Sequence, residues 1–205
     1  CDSVFLLKVL GPPGLKQSGS AAASDVYQRQ VTKCNILAPA VRYSELPGKY
    51  YDTTRKHIIS SVDNSLRLMG VEKIDVLLIH RPDPLMDHHE TGAALDDLVE
   101  SGKVGAVGVS NFKLHDCNLL QSGMKSKLVT NQIEVSLSSY DSLTNGDLAY
   151  LQERGVSPMA WSPLGGGKLM TADTELGRVL DSVAADNGVD RSAVAVAWLL
   201  AHPAK

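Results

Sequence analysis

The sequence predicts an α/β fold, specifically an incomplete (β/α)8 TIM barrel, and three observations carry that expectation. From residue 29 onward, short β-rich runs alternate with amphipathic helical stretches, and five such β-then-α units in a row point to a parallel sheet wrapped by helices. The first run is not followed by a Gly-x-Gly-x-x-Gly turn, which removes the main support for an open dinucleotide-binding sheet. Polar residues gather at the C-terminal ends of the runs, where barrel enzymes carry their chemistry.

The predicted strands are 30–36, 73–80, 104–110, 129–135 and 157–162. Between them, 52–69 repeats apolar residues at helical spacing (Ile58, Ile59, Val62, Leu66, Met69), with Asp52 as its expected N-cap and Gly70 as its stop. The stretch 90–101 repeats the pattern with Ala94, Leu95, Leu98 and Val99 and closes at Gly102. Further helices are expected at 113–121, 145–153, 175–187 and 192–201, the last capped by Ser192. Residues 11–24 read instead as a turn-rich, low-complexity loop.

Composition narrows the function classes. The 205 residues carry 20 Lys+Arg against 23 Asp+Glu, a net charge of −3 without basic runs, so nucleic acid and anionic membrane surfaces are not expected partners. No apolar stretch approaches the ~18 residues of a membrane span. Cys1, Cys34 and Cys117 are odd in number and far apart, which argues for a reducing, cytoplasmic location over a disulfide scaffold. Nothing in the sequence speaks to oligomeric state.

Alternation along the strands places Ile74, Val76, Leu78 and His80 on one face. It likewise groups Val31 with Lys33, Ala106 and Gly108 with Ser110, and Met159 with Trp161. If those tracks point inward, the interior is apolar below and functional at its top. A lysine closing a buried strand is costly unless its ammonium reaches a partner, a cavity or the strand end. His80 closes an apolar strand, a place held either by a hydrogen-bonded core residue or by a working one. The run Gly165-Gly166-Gly167-Lys168 could cradle phosphate or simply turn. Asp87-His88-His89-Glu90 lacks metal-site spacing and a second ligand cluster, so it reads as a solvated helix start and no metal is expected. Ser110 and Ser162 lack the elbow of a serine hydrolase.

Five motifs occur in order: Val76-Leu77-Leu78-Ile79-His80-Arg81-Pro82-Asp83-Pro84, Gly102-Lys103-Val104, Gly108-Val109-Ser110-Asn111-Phe112, Asn131-Gln132-Ile133-Glu134 and Met159-Ala160-Trp161-Ser162-Pro163-Leu164-Gly165. Together they resemble the aldo-keto reductases, barrel enzymes that transfer a hydride from NAD(P)H to an aldehyde or ketone, and the resemblance runs from about Lys33 to Pro203. It implies a small-molecule carbonyl substrate, NADP as cofactor with NAD as the second option, and a catalytic set of Asp, Tyr, Lys and His. Lys33 matches the lysine and His80 the histidine. Ser110, Asn111 and Gln132 match positions that hold the nicotinamide carboxamide. Trp161 matches the aromatic on which the ring stacks, and Ser162, Pro163 and Leu164 match the pyrophosphate-side loop.

Two parts of that pattern have no counterpart here. The aspartate and tyrosine should precede the lysine by tens of residues, but only Tyr27 precedes it closely, with Ala22 in the aspartate's place, a gap too short for the intervening helix. Residues 1–10 resemble the helix that follows the catalytic tyrosine, so the 205 residues are expected to be one partial barrel domain without strands one, two and eight. Such a chain is expected to reduce carbonyls poorly and to be prone to aggregation through unpaired strand edges. The rival reading is a non-catalytic reductase-like module that binds a nucleotide or a protein partner.

Overall fold

A computed structural model describes residues 5–8, 28–39, 45, 47–171 and 173–204, with backbone alone considered at 5–8 and 28–29. The expected loop at 11–24, and with it Ala22 and Tyr27, lies outside the described residues.

Five strands run parallel in one sheet: β2 (Gln28–Cys34), β5 (Ile74–Ile79), β6 (Val104–Ser110), β7 (Leu128–Glu134) and β8 (Ser157–Trp161). They neighbour one another in chain order, each new strand adding to the same side, as in a barrel wall. The helices α1 (Arg55–Met69), α2 (His88–Glu100), α3 (Leu114–Ser122) and α4 (Asp147–Arg154) connect them in turn. Beyond β8 follow α5 (Lys168–Thr171), α6 (Glu175–Asn187) and α7 (Arg191–Leu200).

The structure corrects four expectations. Phe5–Lys8 is not helical; it forms strand β1, paired antiparallel to β2 from Phe5 opposite Val31 to Lys8 opposite Gln28. An outer edge of β2 left bare would expose a row of unpaired backbone donors and acceptors, and β1 covers it. The strand expected at 30–36 breaks at Asn35, whose φ of +82° is left-handed. Ile36–Leu37 (β3) then leaves the sheet to pair with Tyr50–Tyr51 (β4). The helix expected from Asp52 begins at Arg55, because Asp52 Oδ1 accepts from Thr54 N and Oγ1 while the Thr54 side chain caps His57 N. The last helix is capped by Asp190, which accepts from Ala193 N at 2.8 Å and from the Ser192 hydroxyl. Aspartate, serine and threonine are near-equal caps, so neighbouring candidates compete on local geometry.

The core lies between sheet and helices. Leu77 and Ile79 of β5 and Val107 and Val109 of β6 cluster with Ile58, Val62, Ala94, Leu95 and Leu98 of α1 and α2. Ile74, assigned inward by alternation, joins this cluster at the foot of its strand. The next residues inward, Leu78 and Gly108, are fully enclosed: a Cβ on Gly108 would lie 2.6 Å from the Thr130 carbonyl oxygen and 2.8 Å from Leu78 Cδ2. At the other end of the sheet, β8 and α7 border an apolar cavity of about 820 Å³ lined by residues that include Pro158, Ala160, Pro163 and Leu199. No helix among the described residues is long and apolar enough to cross a membrane.

Candidate functional site

Period-two alternation in parallel strands sends every second side chain to the inner face, and the strands end together at their C-termini. Lys33 sits opposite Leu78 in the β2–β5 register, and His80 follows the last rung of that ladder, Cys34 opposite Ile79. Both side chains are half-buried. Burial, followed by the charge of Arg81, lowers the Lys33 pKa from its ordinary value. His80 is lowered to about 4, chiefly by burial and then by Lys33, Arg81 and Lys49. At neutral pH its imidazole is therefore uncharged, with one ring nitrogen able to donate and the other to accept.

A continuous hydrogen-bonded chain joins the tops of β6, β7 and β8. The Trp161 indole N–H donates to Asn111 Oδ1 at 2.9 Å, and Asn111 Nδ2 donates to Ser110 Oγ at 2.9 Å. Ser110 Oγ in turn donates to the Gln132 carbonyl at 3.0 Å, which also accepts from Asn111 N at 2.9 Å. Asn111 holds this place with a φ of +60°, a conformation that asparagine tolerates better than most residues. These contacts fix the Trp161 ring and the Asn111 carboxamide together.

The Gln132 side chain is the unsatisfied member. Among the described residues, Nε2 donates only to Met159 Sδ at 3.1 Å, a weak acceptor, and Oε1 is buried without a hydrogen-bond partner. A buried carbonyl oxygen left unpaired costs about 1–3 kcal/mol.

Of the other expected residues, Ser162 turns with φ +51° and its carbonyl accepts from Gly165 N at 2.8 Å. The Leu164 carbonyl accepts from Gly167 N at 3.1 Å, and Pro163 faces the apolar cavity beside β8. Glycines 165–167 all have positive φ, making a tight turn directly after the site. Asp87 is used as the α2 cap, accepting from His89 N and Glu90 N. Two participants were not legible in the sequence: Met159 as the partner of Gln132, and Asn35. The Asn35 side chain is tied to the backbone of His80 and Arg81, a relation across 45 residues with no local signature.

Fold and site together define a parallel α/β barrel segment with its polar constellation at the C-terminal mouth. The chain belongs to the aldo/keto reductase family, whose sequence pattern matches residues 29–205. It is similar to the 6-dehydroglucose reductase of Agrobacterium fabrum, with 62% identity over 176 residues covering 85% of this chain and 59% of that protein. It is also similar to the uncharacterized oxidoreductase YcsN of Bacillus subtilis, 40% identical over 209 residues that cover 100% of this chain and 67% of the relative. Among solved structures, the thermostable aldo-keto reductase Tm1743 superposes with a TM-score of 0.69 at 28% identity, covering 74% of this chain and 54% of that one. The chain thus spans about three fifths of the length of the first relative, 59%.

Proposed function

We propose that the C-terminal ends of β2, β5, β6, β7 and β8 form the nicotinamide and carbonyl site of an NAD(P)H-dependent reductase acting on an aldehyde or ketone. The observation that carries this reading is the buried, unpartnered Oε1 of Gln132 beside the Ser110–Asn111–Trp161 chain. A carboxamide brings an N–H for that oxygen and a carbonyl for a nearby donor. The residues present therefore fit a nicotinamide, with NADP as the first candidate and NAD as the second.

When bound, the reduced nicotinamide supplies the hydride equivalent. Ser110, Asn111 and Gln132 hold the carboxamide, and the indole of Trp161, pinned through its N–H, offers a flat face for the ring. Ser162, Pro163 and Leu164 shape the adjoining turn toward the pyrophosphate side. His80, neutral at physiological pH, donates one ring N–H to the substrate carbonyl oxygen and sets its angle. Lys33 places a cation beside that oxygen, where it lowers the pKa of the group that delivers the proton. The similarity to a 6-dehydroglucose reductase suggests a sugar-derived carbonyl compound such as 6-dehydroglucose as substrate. The buried thiol of Cys117 supports a reducing, cytoplasmic setting.

The matched motifs include the lysine and histidine of the family's set but neither its aspartate nor its tyrosine. The 205 residues by themselves are therefore expected to bind cofactor and turn over little. NADPH titrated into the purified chain should quench tryptophan emission saturably, and Trp161→Phe should remove most of that quench. A flat titration would overturn the reading and move ahead the non-catalytic module that binds a protein partner.

A further inference from the structure

The β2–β5 ladder ends at Cys34 and Ile79, so the backbone of His80 and Arg81 runs beyond the last regular rung. Asn35 takes over there. It is fully buried, and its left-handed backbone turns the side chain back across the seam between the two strands. Its Oδ1 accepts from His80 N at 2.9 Å and from Arg81 N at 3.2 Å, while Nδ2 donates to the Arg81 carbonyl at 2.9 Å. The His80 N–H is shared with the Cys34 carbonyl at 3.0 Å, and the Asn35 carbonyl accepts from Asp52 N at 3.0 Å. One side chain thus serves both amides and one carbonyl of the segment just past the last regular rung, sharing the His80 amide with the end of β2. An unpaired buried backbone group is costly, so this segment has one strongly favoured path while the clamp is intact.

We propose that Asn35 is a positioning residue for the carbonyl-binding end of the site: by clamping the His80–Arg81 backbone to the end of β2, it fixes the imidazole relative to Lys33 on the neighbouring strand. The inference rests on the reading of His80 as the group that orients the substrate. A shift of about 1 Å in such a group is enough to cost roughly a hundredfold in rate. Residue type and backbone agree here. Glycine would accept the φ but bring no side chain, aspartate would present an oxygen to the Arg81 carbonyl in place of a donor, and a β-branched residue would be strained.

The test is a histidine-selective NMR titration of the full 205-residue chain. In the unaltered protein His80 should titrate near pH 4. In Asn35→Gly, which keeps the backbone conformation and removes all three side-chain bonds, the midpoint should rise by more than one unit toward the ordinary 6.5 as the imidazole gains solvent and leaves Lys33. Thr174→Ala, which removes the side-chain cap of α6, should lower thermal stability without moving the midpoint. An unchanged His80 midpoint in folded Asn35→Gly would overturn the proposal. If that variant does not fold, hydrogen exchange of the unaltered protein decides instead. The His80 and Arg81 amides should be protected like those of Leu78 and Ile79, and exchange on the order of a hundredfold faster would overturn the clamp. Loss of NADPH binding with the midpoint shift retained would reject the reductase reading and leave the clamp standing; the converse pattern would reject the clamp alone.

Discussion

On the helix side of β5 and β6, Leu77, Ile79, Val107 and Val109 are sealed against Ile58, Leu95 and Leu98. On the inner side of the same sheet, near the strand ends, stand Lys33, His80, Ser110 and Gln132, two of them half-buried and one with a carbonyl oxygen that has no partner among the described residues. The two faces alternate residue by residue along common strands, yet their energetics run in opposite directions. The helix side gains stability from each enclosed methyl group. The inner side gives some up, holding a lysine in partial burial and an amide without satisfaction. The difference teaches that stability gathers on one face of the sheet and is given up on the other, the face proposed for chemistry.

Substitutions should therefore divide cleanly by face. Leu95→Ala, at a fully enclosed position in the helix-side cluster, should destabilise the fold by about 2–5 kcal/mol in urea denaturation. The molecules that remain folded should retain their affinity for NADPH. A large loss of affinity in that folded fraction would break the separation. Gly108→Ala tests the boundary between the faces, since its Cβ would meet the Thr130 carbonyl and Leu78 at under 3 Å. Overpacking there should cost about 1–3 kcal/mol and also disturb cofactor binding, because Ser110 lies two residues further along β6. A further effect is in pH. His80 binds its proton less readily in the folded state than in the unfolded one, so its contribution to stability is complete above pH 6.5 and declines as pH falls toward 4. Thermal melts of the His80→Gln variant should show a weaker pH dependence across that window.

The division of faces was largely legible from the sequence. Period-two alternation collected Lys33, His80, Ser110 and Trp161 at strand ends, and the strand at 104–110 and the helix at 175–187 carry the same bounds in the structure. Local competition blurred the rest. Asp52 and Thr54, and likewise Ser192 and Asp190, offer equivalent capping oxygens, and only the bonds among them select one. Strand β1 was hidden because a short apolar run takes its form from the edge it covers rather than from its own pattern. The Asn35 clamp and the Gln132–Met159 contact join residues 45 and 27 positions apart and leave no periodic trace.

The most direct measurement replaces the unpartnered amide itself. Gln132→Leu removes a buried polar group that lacks satisfaction while keeping similar volume, and its thermal stability and NADPH affinity can be measured side by side by calorimetry. The variant should melt no lower than the unaltered chain, and higher by up to about 1 kcal/mol in stability, while binding NADPH at least tenfold more weakly. A variant that binds NADPH as tightly as before would contradict the assignment of this face to the nicotinamide.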